Sequence, residues 1–125
     1  MTETLRALQR FFASFGMAAY PAGTVPAGAA LPLLIWEMAA GRFAAASQVT
    51  ATAWFDGPDA NILRAAFFDT LLDYVPEAGV RLPAGDALIM LERGSGDFLT
   101  PVTDPAHPWL LGGRVRLTLR RYGAT

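Results

Sequence analysis

Few side chains in this sequence could do chemistry, and most of them lack partners. No cysteine occurs among the 125 residues, which removes disulfides, thiol nucleophiles and thiolate metal sites. The single histidine, His107, lies between Pro105 and Pro108 with no second imidazole at ligand spacing. As a general base it would need an orienting carboxylate, for which Asp104 is near in sequence; an exposed loop histidine is the plainer reading. The segment GSGD, 94–97, has the glycines of a phosphate-cradling loop but neither its lysine nor its helix, so it reads as a turn. Glu37 and Glu92 end apolar runs. They could work as an acid and a base, or pair across strands with Arg42, Arg93 or the terminal arginines. No group meets the geometric test for catalysis. The expectation is a protein that is not an enzyme and has no catalytic residue, cofactor or metal.

The arginines carry more information. Lysine is absent, and four of the ten arginines fall in GGRVRLTLRRYG, 112–123. In an extended strand Arg114, Arg116, Thr118 and Arg120 face one way, and Val115, Leu117 and Leu119 the other. Residues 110–125 hold four arginines and no acid, whereas the other 109 hold six arginines against eleven acids. Asp56, Asp59, Asp69, Asp73 and Glu77 cluster in 56–77 against Arg64 alone. The arginine face has three readings. It is a solvated strand face, a nucleic-acid contact, or a contact between subunits. Against nucleic acid stand the net charge of -1 and the lack of aromatics interleaved with the arginines. A ring built head to tail needs two different, complementary patches. The stretch 56–77 and the strand 114–121 are candidates, with apolar area from Phe68, Leu72, Phe98 and Trp109. Burial under the first helix is the competing account of Phe68 and Leu72.

The elements that must position these residues follow from periodicity. Leu5, Leu8, Phe12 and Phe15 make one stripe of a helix over 3–15, with Thr2 as cap and Gly16 as stop. PAGTVPAGAA, 21–30, is a loop. Residues 31–41 read as a strand covered on both faces, because the apolar run is continuous. In 47–57 Val49, Ala51, Ala53 and Phe55 alternate with Gln48, Thr50, Thr52 and Trp54, giving a second strand and a hairpin through RFAAAS. A helix over 59–75 is capped by Asp59 and stopped by Pro76, with Leu63, Phe67, Leu71 and Tyr74 inward and Phe68 and Leu72 outward. VRLPAGDALIMLERG, 80–94, is a hairpin about PAGD. Residues 94–110 read as a long irregular loop, of the kind that forms interfaces. The arginine strand closes the chain. Together these give one α+β domain over 1–125, a mostly antiparallel sheet with two main helices packed on it. The charged N-terminus is unlike a signal peptide, and the longest apolar run is about half a membrane span. A soluble protein made inside the cell is expected, with no membrane partner.

Taken in order, Tyr20-Pro21, LPLLIWEMAAGRF, VTATAWFDG, the second helix, GVRLPAGDALIMLERGS, Asp104-Pro105 and GRVRLTLRR resemble the small tail terminator (tail completion) proteins of long-tailed bacteriophages and prophages. The resemblance spans nearly the whole chain and lies in the order and spacing of motifs. The alanine and proline between Pro21 and Leu31, and the absent lysines, depart from it. It implies a minor tail protein of virion assembly, a homohexameric ring that caps the head-proximal end of the tail tube. Such a ring stops polymerisation and joins the tail to neck or head-completion proteins. It would sit in the virion tail after assembly in the host cytoplasm, and DNA would pass through its opening. By the same resemblance Arg114, Arg116, Arg120, Asp69, Asp73, Phe68 and Leu72 are candidates for the subunit contact or the lumen. Phe98, Asp104, His107 and Trp109 would lie in the loop that meets tube or neck. A neck or head-closure subunit, and a small nucleic-acid-binding module, are the alternatives.

Overall fold

The computed structural model describes residues 2–40, 46–94 and 96–123. Along the chain run α1 (Thr2–Ala13), β1 (Ala18–Pro21), β2 (Leu33–Ala40), β3 (Ala46–Phe55), α2 (Ala60–Tyr74), β4 (Val80–Ala84), β5 (Ala87–Arg93), β6 (Leu99–Asp104) and β7 (His107–Gly123). The fold is α+β, with a mixed, mostly antiparallel, curled sheet. Its strand order is β1-β2-β3-β7-β5-β4, and β6 also pairs with β7. Among the described strands, β1 and β2 pair in parallel and the other pairs are antiparallel.

The alternating C-terminal sequence makes β7 the strand around which the sheet is built. Along one edge it pairs with β3, from Ala46 opposite Arg120 to Phe55 opposite Leu111. Two strands share the other edge end to end. β5 takes Leu117–Gly123 and β6 takes Leu111–Val115. At the changeover the Arg116 carbonyl accepts from the Gly94 N–H, and the Arg116 N–H donates to the Phe98 carbonyl, both at 2.9 Å. A Cβ on Gly94 would come within 2.8 Å of the Arg116 carbonyl oxygen, so this crossing requires glycine.

Both helices cover the face that carries Leu34, Trp36, Val49, Ala51, Ala53, Val115 and Leu117. From α1 come Ala7, Leu8, Phe11 and Phe12, and from α2 Ala60, Phe67 and Leu71. Phe12 stacks on Trp36 at 5.7 Å, and Phe15 joins the helices by contacting Phe67 at 5.6 Å and Tyr74 at 5.0 Å. Gln9 fastens α1 to the sheet. Its amide donates to the Ala19 carbonyl and its oxygen accepts from the Trp36 indole, each at 2.8 Å.

Several sequence expectations change here. The α1 stripe uses Phe11, while Leu5 is exposed; the helix meets the sheet one position round from the expected face. Thr2 is the first helical residue and not a cap outside it. Gly16, at φ 83°, stands just beyond the end of α1 and provides the left-handed turn. β1 was hidden in what reads as the approach to a loop. The second face of β2 is covered at Leu33 but open at Glu37 and Ala39, which are exposed. Asp59 occupies the position before α2 but makes no side-chain capping bond. Leu63 and Tyr74 are each about two-fifths exposed, at the margins of a narrower buried stripe. The tip of the β2–β3 hairpin lies outside the described residues; its arms pair antiparallel up to Ala40 opposite Ser47. The largest change is at 94–110. From Leu99 onward this stretch is not a loop but β6, a two-residue turn and the start of β7. Pro101 and Pro108 misled the reading, because prolines are tolerated on exposed strand positions.

Gly113 lets α2 approach β7. A Cβ there would meet Phe68 Cε1 at 2.9 Å and Phe67 Cδ2 at 3.2 Å. Gly113→Ala should therefore destabilise the fold by about 1–3 kcal/mol, read as a lower denaturation midpoint with an unchanged urea slope.

Candidate functional site

The face of the sheet opposite the helices carries the arginines. Strand register sets the side chains in rows. Glu37, Thr50 and Arg116 form one row; Ile35, Thr52 and Arg114 form the next; Leu33, Trp54 and Gly112 form a third. The expected division of β7 holds: Val115, Leu117 and Leu119 are buried, and Arg114, Arg116 and Arg120 are part-exposed.

The arginines are not equivalent. Arg120 pairs with Glu92 at 3.0 Å, the cross-strand partnership open to Glu92 in the sequence. Both side chains are about two-fifths exposed, so the pair contributes about 0–1 kcal/mol. Arg114 donates to the Thr52 hydroxyl at 3.2 Å. Among the described residues Arg116 has neither an ion pair nor a side-chain hydrogen bond. Arg114 and Arg116 line a hollow of ≈ 410 Å³ with Glu37, Thr50, Thr52, Trp54 and Ile35. A mainly apolar hollow of ≈ 320 Å³ adjoins it through Ile35 and Trp54, and is lined also by Val25, Leu31, Leu33 and Leu110 together with the paired Asp104 and His107. The result is a trough with a cationic end, an aromatic middle and an aliphatic end. Sequence spacing offered no aromatic beside the arginines; β3 supplies Trp54 from another strand.

On the far side of the molecule α2 turns a second surface outward. Ile62 is 69% exposed and Leu72 43%. Ala65, Ala66, Asp69 and Asp73 are exposed with them. At 100° per residue these positions share one side of the helix. Phe68 is not on that side. It is half-buried, packing against the core and lying over Gly113 of β7. The apolar stripe running round α2 is thus divided between the sheet and an uncovered outer face.

The residues expected in an interface loop sit in and beside the β6–β7 hairpin. Phe98 is half-buried, and the Arg93 guanidinium lies 4.9 Å over its ring. Arg93 also donates to the Val75 carbonyl at 2.9 Å and the Leu72 carbonyl at 3.4 Å. It satisfies the C-terminal end of α2, where a cation is favoured. The sequence reading missed this role, although an arginine closing a strand after a helix with no basic residue in its last turn was a signal. Across the hairpin turn the Asp104 carboxylate accepts from the Ala106 N–H and meets His107 Nδ1, both at 3.0 Å. Trp109 is 62% exposed and touches the His107 ring edge-on at 5.1 Å.

The sequence matches no protein-family model, and no curated protein is a significant match. Among the described residues no cluster of three or more acids and histidines could hold a metal ion, and no helix is long and apolar enough to cross a membrane.

The His107 hydrogen bond, with help from the Ala106 N–H, lowers the Asp104 pKa below its ordinary 3.8. A lowered carboxylate favours the fold above the ordinary value and loses that contribution as pH falls through the lowered one. His107→Ala should return the Asp104 midpoint toward 3.8, measured by carbon-detected NMR titration of the side-chain carboxyl.

Proposed function

We propose that this protein is a structural subunit that assembles head to tail into a ring, usually a hexamer in this resemblance. The ring caps the head-proximal end of a phage tail tube, stops its growth and forms the joint to neck or head proteins. One observation carries the reading. Two chemically opposite, uncovered surfaces lie on opposite sides of one subunit, an acidic and apolar helix face and a basic, aromatic-lined trough. Ring closure by identical subunits needs two unlike patches of this kind. A neck or head-closure ring shares the same physics and differs in which structure it binds.

Mass measurement in solution, alone and after addition of purified tail tubes, tests the proposal. The expected outcome is a closed ring of subunits on the tube end and no further tube growth. A chain that stays monomeric in both conditions would overturn it.

Trp54 beside Arg114 and Arg116 favours a second reading, contact with single-stranded nucleic acid through stacking and phosphate pairing. A ring subunit should bind oligonucleotides weakly, and log K should fall with log salt by roughly 0.7–0.9 per phosphate contacted. Tight binding in a gel shift, persisting at high salt, would favour the nucleic-acid module over the ring.

A further inference from the structure

The trough and the outer face of α2 match each other in more than sign. Arg114 and Arg116 are two residues apart on a strand, about 6.7 Å. Asp69 and Asp73 are one helical turn apart, about 6 Å. Beyond Arg114, one further step of the same length, the sheet offers Trp54, and then the aliphatic end at Leu110. Beyond Asp69, one further turn, the helix offers Ala65, and then Ile62 at about 10 Å. Charge, charge, apolar, apolar is therefore the order on both surfaces, in steps of about 6.7 Å along the strand and about 4.5–6 Å along the helix.

We propose that the trough receives α2 of the next copy of this chain, with Asp73 against Arg116, Asp69 against Arg114, and Ala65 and Ile62 over Trp54 and the aliphatic end. The inference rests on the ring reading and names its contact. Arg116, without an ion pair or side-chain hydrogen bond among the described residues, is the side chain the pairing would satisfy. Glu37 is the opposing charge in the trough. It stands in Arg116's row two strands away, about 10 Å between backbones, and forms no ion pair with Arg116 among the described residues.

The geometry also decides the kind of assembly. Helix and trough lie on opposite sides of the sheet, so no chain can satisfy both within itself. A twofold pair cannot exchange both contacts either, because the second pair of patches faces away. The contact must propagate, and it ends only by closing on itself.

Two double variants test this, R114E/R116E and D69R/D73R, in analytical sedimentation at low ionic strength and on purified tail tubes. Each alone should need at least about tenfold more protein to associate, since each sets like charges together. Mixed in equal amounts they should associate again, because the basic trough of one fits the acidic helix of the other and the reversed pair fits too. Ile62→Glu adds a variant that cannot disturb the core, as the residue is 69% exposed; it too should weaken association. If wild type assembles and none of these substitutions changes it, the pairing is wrong and the ring stands. If wild type associates neither alone nor on tubes, the ring reading fails and takes the pairing with it.

Discussion

The structure depends on the register of β7. Its backbone groups are hydrogen-bonded on both edges, to β3 along one side and to β5 and β6 along the other. Buried backbone groups left unpaired are costly, so three neighbours are held to one strand. The side chains admit only one register. A slip by one residue would turn Arg114, Arg116 and Arg120 into the core and Val115, Leu117 and Leu119 into water. Apolar burial and arginine hydration therefore specify the same pairing.

From that register follows a two-sided molecule. One face of the sheet is apolar enough to hold both helices, through contacts such as Phe12 on Trp36 and Phe67 against Phe55. The other face is too polar to form a second core, yet too apolar around Trp54, Ile35 and Leu33 to be ordinary solvated surface. α2 repeats the pattern on its own scale. Phe67, Leu71 and half-buried Phe68 hold the helix to the sheet, while Ile62 and Leu72 remain outside with the carboxylates of Asp69 and Asp73. Exposed apolar residues scattered singly need no explanation, but a continuous helix stripe and a lined trough in one small domain do.

The reading of particular elements from sequence succeeded where one period dominated. Alternation in 47–57 and 114–120 placed β3 and β7, and the turn chemistry of PAGD placed the β4–β5 hairpin. It failed where prolines or short length masked a pattern. Ala18–Pro21 is four residues long, too short for periodicity to register. Leu99–Asp104 has a proline that an edge strand accommodates, because β6 pairs on one side only. Asp59 looked like a cap by residue type, but its side chain makes no capping bond. Local chemistry permitted that bond without requiring it.

The sequence alone determined the α+β class, the two helices, and the separation of arginines from aliphatic residues on the last strand. These depend on spacing along the chain, which residue types reveal directly. Only the tertiary structure decided which arginine is already engaged, because Glu92 and Thr52 reach Arg120 and Arg114 from other strands. Only it set Trp54 beside the arginines and Arg93 under the end of α2. It alone put the acidic helix face and the basic trough on opposite sides. Such relations join residues far apart in the chain, and they exist only once the backbone of β7 has chosen its neighbours.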